Sequence, residues 1–159
     1  MNTLHRTLAG IICVLVALQA ASHAWASAGI GAFVVGGGVI DASLLGATGG
    51  PPPFVEVYGL AAHSISGSFV IPIVGIALLL TSFLTHDRGA VMWSALVLAA
   101  IALQVTLGYT AHGLAALALI HGFNALVVFS LAGFLVLRHP DRGLQDSRMD
   151  AAPATVRLG

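Results

Sequence analysis

Long apolar segments alternate with short polar breaks along the chain, and this pattern predicts membrane-spanning helices. A bilayer core of about 30 Å is crossed by about 20 mostly apolar residues per helix. Four segments meet that length, at about residues 8–26, 54–84, 90–109 and 114–137. The breaks at 85–89 and 110–113 are short, so the helices that they join should run antiparallel. We therefore predict an all-α polytopic membrane protein, with an up-down four-helix transmembrane bundle in residues 1–139.

Two other segments lack the composition of a membrane span. Residues 27–53 include GIGAFVVGGGVI and GATGGPPP, whose Gly and Pro content favours an external loop over a fifth helix. Residues 140–159 are polar, with Asp and Arg, which predicts a disordered cytoplasmic tail. The triplet Ala24-Trp25-Ala26 resembles a signal-peptidase site, but polar residues interrupt the apolar run before it. We therefore expect the first helix to be retained.

The arginines predict an orientation for the four helices. Arg6 precedes the first helix, Arg88 lies between the second and third, and Arg138, Arg142 and Arg148 follow the fourth, whereas the other two loops contain no Arg. Basic residues are enriched on the cytoplasmic side of membrane proteins. Both termini should therefore face the cytoplasm, and we expect the chain to lie in a bacterial inner membrane.

Composition narrows the class of protein further. Hydrophobic residues make up 58% of the 159 residues and charged residues only 8%, whereas about 25% charged residues is usual in soluble domains. The chain has no Lys and no basic stripe, so we expect the lipid bilayer, and not nucleic acid, as its partner. The single cysteine, Cys13, excludes an internal disulfide and the Cys-x-x-Cys-His attachment of a c-type haem.

Seven histidines are many for a chain of this size, and they divide into two groups. His63 and His121 lie inside predicted spans, and His23 lies near the outer end of one. Polar side chains at membrane depth cost free energy and commonly serve a function. The other four are predicted at helix ends or in loops, where water or lipid headgroups can solvate them: His5, His86, His112 and His139.

His63 and His121 should share one layer of the bundle. At about 1.5 Å per residue, His63 lies about 10 Å inside Glu56, and His121 lies about 12 Å inside Gly113. The second and fourth helices of an up-down bundle are diagonally opposite, so the two imidazoles can point at one central group. Because haem iron accepts a His nitrogen on each face of its ring, we predict haem b with His63 and His121 as axial ligands.

Residues around the two histidines suit such a cofactor site. Gly59 and Gly67 lie four residues before and after His63, where their small size would leave room for the faces of a haem. Gln104 or Asn124 could accept a hydrogen bond from the second ring nitrogen of a ligand and so fix its tautomer. All four are therefore candidates for cofactor binding.

The first helix and the outer rim add further candidates. Gln19 and His23 are four residues apart and share one helix face in the same layer. Glu56 lies at the outer rim, where a quinone headgroup would also meet water, and it is a candidate proton relay.

Three alternatives to a haem with two axial histidines stay open. The spanning histidines could serve only as interhelical hydrogen-bonding residues. A copper site could take three nitrogens from His23, His63 and His121. The two histidines could also form a proton-relay pair.

The motifs of the second, third and fourth helices are, in order, Glu56…His63-x-x-x-Gly67, Gln104-x-x-x-Gly108 and His121. Together they resemble one four-helix half of a haem A synthase. The pattern His-x-x-Asn-Ala at residues 121–125 also resembles that of small bacterial four-span membrane proteins. The resemblance implies a haem held between histidines of the second and fourth helices.

These observations favour a b-type haem protein that transfers electrons near the extracytoplasmic face. A quinol is the expected donor, with a redox partner protein, and the chain is expected to work as a homo-oligomer or within a larger membrane complex. One alternative is a haem-modifying or quinol-oxidising enzyme. The other is a non-catalytic accessory subunit, whose polar layer only holds the four helices together.

Overall fold

A computed structural model describes residues 3–41, 51–111 and 113–138. All the regular structure in these residues is helical, as predicted. The elements are α1 (Thr3–Val35), a single 3-10 turn (Val55–Val57), α2 (Tyr58–Ile65), a π-helical turn (Ser66–Val70), α3 (Ile71–Phe83), α4 (Arg88–Thr110) and α5 (Ala116–Leu137). The predicted tail, residues 42–50 of the predicted loop, and His112 and His139 lie outside the described residues.

Four helical stretches of the described chain are long and apolar enough to cross a bilayer. They are α1, the combined stretch Val55–Phe83, α4 and α5, and we refer to Val55–Phe83 as the second span. The second, third and fourth stretches begin and end close to their predicted bounds. The four-helix prediction is therefore confirmed at the level of helix number, length and hydropathy.

The first helix is longer than predicted. It has 33 residues and continues through the Gly-containing segment that was expected to begin the external loop. It ends where Gly37 takes a φ of +89°, and the Gly37 and Gly38 amides donate to the carbonyls of Val34 and Phe33. A left-handed glycine with these two hydrogen bonds is a common helix C-terminus. The helix thus ends at the cluster of three glycines at residues 36–38, and not at the first glycine of the segment, Gly29.

The second span widens into its π-helical turn just before Pro72. Proline has no N–H to donate to the carbonyl four residues earlier, that of Ser68, and its ring crowds that carbonyl. A π-turn inserts one extra residue into the helix and relieves this conflict. The conflict at Pro72 is thus accommodated by Ser66–Val70, the turn that directly follows the one carrying His63.

The spans pack so that the second and fourth face each other across the bundle. The first helix packs against both the second span and α5, and α4 packs against α3 and α5. Each packed pair is antiparallel, as contacts between the start of one helix and the end of the next indicate. For example, the Arg6 side chain donates to the Val136 carbonyl at 3.1 Å, and Gly89 lies against the guanidinium of Arg138.

An apolar core fills the half of the bundle that contains the start of α1. Its central members are buried aliphatic residues from all four spans, namely Ala9, Ile12, Leu78, Val97, Ile101, Val128 and Leu135. Gly75 allows α3 to approach α4 closely, because a Cβ at this position would lie 2.8 Å from Cδ1 of Ile101. Small residues are enriched at contacts between membrane helices, because they let the backbones approach closely. The opposite half of the bundle contains most of the predicted site.

Candidate functional site

The imidazole rings of His63 and His121 meet in the interior of the bundle. Their ring centres are 6.1 Å apart and their planes are inclined by 55°. One ring comes from α2 and the other from α5, the two spans that face each other diagonally. Both side chains are half-buried. The two rings therefore lie in one layer of the bundle, as the count of residues along each helix predicted.

His63 is held by the backbone of the first helix. Its Nδ1 lies 3.1 Å from the carbonyl oxygen of Gln19. A carbonyl can only accept, so Nδ1 carries the proton and the neutral ring has its lone pair on Nε2. None of the hydrogen bonds among the described residues reaches that Nε2.

His121 is held in the same way by α4. Its Nδ1 lies 3.1 Å from the carbonyl oxygen of Gln104, so this nitrogen is also the protonated one. Gly108 lies against the same edge of the ring, where a Cβ would be 3.2 Å from Cε1. Two backbone carbonyls, rather than the predicted side-chain amides, therefore fix the tautomers of both rings.

The Gln104 side chain has a different position from the one predicted. Its Nε2 lies 3.2 Å from Nε2 of His121, the nitrogen with the lone pair, and donates to it. The buried Asn124 amide donates to Oε1 of Gln104 at 2.8 Å and to the Ala100 carbonyl at 2.9 Å. The side chain that was expected to bond to the second nitrogen of the ring instead contacts Nε2 of His121, the nitrogen that was predicted to bind the metal.

Gln19 joins the first helix to the second span in the same layer. Its side-chain nitrogen donates to the carbonyl of His63 at 2.9 Å and also to the hydroxyl of Ser66. Gln19 is buried although it lies in a membrane-spanning helix. With its own carbonyl bonded to His63, this residue connects α1 to α2 through both its backbone and its side chain.

The two glycines that flank His63 face the first helix. A Cβ on Gly59 would lie 2.4 Å from the carbonyl oxygen of Ser22 and 3.1 Å from Cβ of Ala26. A Cβ on Gly67 would lie 3.4 Å from the Gln19 amide. The space beside these glycines was predicted to leave room for the faces of a haem. In the structure it is filled by α1.

His23 lies beside His63 but on the exposed side. The two ring centres are 5.1 Å apart with the planes at 67°, an edge-to-face contact, and Nδ1 of His23 is 3.3 Å from the Ser27 hydroxyl. Within the described part of the chain, no three His, Cys, Asp or Glu side chains are arranged to hold a metal ion. This conformation therefore gives no support to the three-nitrogen copper site.

Glu56 and Tyr109 lie toward the end of the bundle opposite the start of α1. Glu56 lies against Gly29 of α1, and among the described hydrogen bonds none joins its carboxylate to His63. Tyr109 contacts Ser68 through a hydroxyl pair at 3.1 Å. A proton path from Glu56 to the histidines is thus absent from the described contacts.

A second polar cluster, at the opposite end, was missed. His5 was expected to be solvated, but it is completely buried, and its two ring nitrogens each lie 3.3 Å from a hydroxyl, those of Thr81 and Ser94. That expectation was wrong because His5 already belongs to α1, which begins at Thr3. This cluster could have been predicted from the sequence. Thr81 lies near the end of the second span and Ser94 near the start of α4, and antiparallel packing places both at the same end of the bundle as His5.

Comparisons of the chain with protein-family models, with curated proteins and with solved structures gave no match. The likeness to one half of a haem A synthase therefore rests on the sequence motifs of the second, third and fourth spans.

Proposed function

We propose that this chain is a multi-pass membrane protein that binds haem b between His63 and His121 and transfers electrons. The observation that carries the proposal is the matched support of the two rings. In each, Nδ1 donates to a backbone carbonyl of a neighbouring helix at 3.1 Å, which puts the lone pair of the neutral ring on Nε2, the nitrogen that would bind a metal. Histidines that bind metals usually donate their other ring N–H in this way.

The spacing of the two rings supports the same proposal. A bond from a histidine nitrogen to a first-row metal is about 2.0–2.1 Å long, so two imidazoles on opposite sides of one metal have centres roughly 6 Å apart. The measured separation is 6.1 Å. The distance between the ring centres is therefore that expected for two imidazoles on one metal, and the Gln104 amide would have to move away from His121 for the metal to bind.

Two histidine ligands suit electron transfer better than oxygen binding. His63 and His121 would hold the haem, which would supply one-electron chemistry. The protein would supply the two nitrogens, and it fixes their tautomers through the carbonyls of Gln19 and Gln104. We propose a quinol as the donor and an outer redox protein as the acceptor, with a homo-oligomer or a larger membrane complex completing the electron path.

The positions of the arginines support an inner-membrane orientation with cytoplasmic termini. Arg6 bonds to the end of α5, Arg88 begins α4, and Arg138 pairs with Asp87 at 3.6 Å, so these three cations lie at one end of the bundle. This end would face the cytoplasm by the positive-inside rule. The histidine pair then lies in the outer half.

The test is the absorption spectrum of the protein purified from cells supplied with haem. We expect a Soret band that shifts on dithionite reduction, and its loss or conversion in His63→Ala and in His121→Ala. His5→Ala is the matched control, because it removes a buried histidine from the other end of the bundle and should leave the spectrum unchanged. A wild-type protein with no Soret band would refute the proposal.

A second candidate is a non-catalytic accessory subunit whose polar layer holds the helices together. The observation that favours it is that Gln104 already bonds to both His121 and Asn124, while Gln19 bonds to the His63 carbonyl of the second span. Such interhelical bonds contribute about 0.6 kcal/mol each on average and at most about 1.7. On this reading, His63→Ala and His121→Ala lower the free energy of unfolding by that amount, and no variant changes an optical spectrum.

A further inference from the structure

The Nε2 atoms of the two central histidines have different surroundings. That of His121 accepts a hydrogen bond from the Gln104 amide at 3.2 Å. That of His63 has no such bond among the described residues. If both nitrogens are to bind one metal, only His121 must first release a partner.

The proton positions in this network determine one another. The side-chain nitrogen of Asn124 donates to the backbone carbonyl of Ala100, which identifies this atom as the NH2 nitrogen. The Gln104 atom that it also contacts must therefore be a hydrogen-bond acceptor. That acceptor is Oε1, which leaves the Gln104 nitrogen to face His121. His121 must then accept at Nε2 and carry its proton on Nδ1, and the carbonyl bonded to Nδ1 requires the same tautomer.

We propose that the Gln104 side-chain amide is a blocking amide, which competes with haem iron for the lone pair of His121 Nε2 and so sets the haem affinity. This inference rests on the proposed function. One lone pair cannot accept an N–H and bind a metal at the same time. Asn124 holds the blocking amide in the orientation that presents N–H rather than C=O, so Asn124 strengthens the block without touching the histidine.

Loss of the blocking amide should therefore tighten haem binding. Gln104→Leu removes the donor and leaves the His121 lone pair available, while the backbone carbonyl that orients Nδ1 stays in place. A hydrogen bond of ordinary net strength corresponds to roughly a three- to tenfold change in affinity. Asn124→Ala should act in the same direction with a smaller change, because Gln104 is still present but no longer oriented.

Titration of haem-free protein with hemin in detergent measures this change. Ser94→Ala is the matched control, because it removes another buried polar side chain of α4, whose hydroxyl bonds to His5 and to the Ala90 carbonyl at the other end of the bundle. We expect Gln104→Leu to bind hemin roughly three- to tenfold more tightly than the wild type. Ser94→Ala should bind it with unchanged affinity. If Gln104→Leu does not fold, Gln104→Met serves in its place.

A second measurement needs no haem. Nitrogen-15 NMR of the haem-free protein, labelled in its histidines and assigned with His121→Ala, reports the hydrogen bond at His121 Nε2. We expect this resonance to move toward that of a free lone pair in Gln104→Leu and to stay in place in Ser94→Ala. An unchanged His121 resonance in Gln104→Leu would overturn the blocking amide, whether or not the protein binds haem.

The two failures are distinguishable. If neither the wild type nor Gln104→Leu binds hemin, the proposed function fails, and the NMR measurement still decides whether the amide occupies His121. If the wild type binds hemin and Gln104→Leu binds it equally or more weakly, the proposed function stands and the blocking amide is refuted.

Discussion

Gly59→Ala should destabilise the bundle by forcing α1 and α2 apart. The new methyl carbon would lie 2.4 Å from the carbonyl oxygen of Ser22, whereas ordinary contact begins at 3.4 Å, so the two helices must separate by about 1 Å. The obstacle is backbone, which cannot rotate away as a side chain can. Overpacking of this kind costs about 1–3 kcal/mol.

Replacing glycine by alanine within a helix also has a favourable effect, which a control must remove. The gain in helix propensity is up to about 1 kcal/mol. Gly122→Ala gives the same gain in α5, where the added methyl would have no atom within 4 Å. The difference between the two variants therefore isolates the steric term, and we expect Gly59→Ala to be less stable than Gly122→Ala by about 1–3 kcal/mol.

Reversible unfolding in mixed micelles of fixed composition, followed by circular dichroism, measures both free energies of unfolding. The close approach of Gly59 to Ser22 is contradicted if the two alanine variants differ by less than about 0.5 kcal/mol, the usual range for substitutions that meet nothing. In that case, α1 and α2 are not in direct backbone contact at this level.

Three further predictions follow from the polar contacts. His5→Ala removes two interhelical bonds to hydroxyls and should lower the free energy of unfolding by about 1–2 kcal/mol, measured in the same micelles; an unchanged value would mean that the buried cluster does not stabilise the helix ends. Gln19→Leu should lower the free energy of unfolding by a similar amount. The NMR signal of His63 Nδ1–H should nevertheless stay in place, because the carbonyl that accepts this proton belongs to the backbone of residue 19. Loss of that signal would contradict the hydrogen bond assigned to it. Asp87→Ala should lower the free energy of unfolding by about 1 kcal/mol more than Asp87→Asn. Asparagine can still cap α4, whereas neither variant forms the ion pair with Arg138. Equal stabilities of the two variants would show that the cap does not contribute to stability.

The number and approximate bounds of the spans could be predicted because apolar length is a direct property of the sequence. The end of α1 could not. Glycine is tolerated within a membrane helix as well as at its end, so the several glycines between Gly29 and Gly38 give no unique stop. The structure resolves the choice through the backbone angle of Gly37, which only the folded chain determines.

The candidate site could be predicted in part for a similar reason. The depth of His63 and His121 follows from counting residues, and their ring centres are 6.1 Å apart. Which atoms support the rings does not follow, because a backbone carbonyl is available at every position. The sequence therefore favoured the amides of Gln104 and Asn124, whereas carbonyl oxygens fix the ring tautomers and the amides bond to each other.

The wide turn at Ser66–Val70 absorbs one extra residue, so the two halves of the second span keep the angular phase of a continuous helix. One residue advances an α-helix by about 100°, so a deletion within α2 or α3 would rotate the His63 side chain by about that angle relative to Leu78, which is fully buried in the apolar core. A deletion within the wide turn would instead return it to regular α-helix and leave His63 facing the bundle interior. The histidine pair should therefore tolerate the loss of one residue from Ser66–Val70 but not from the regular helix on either side.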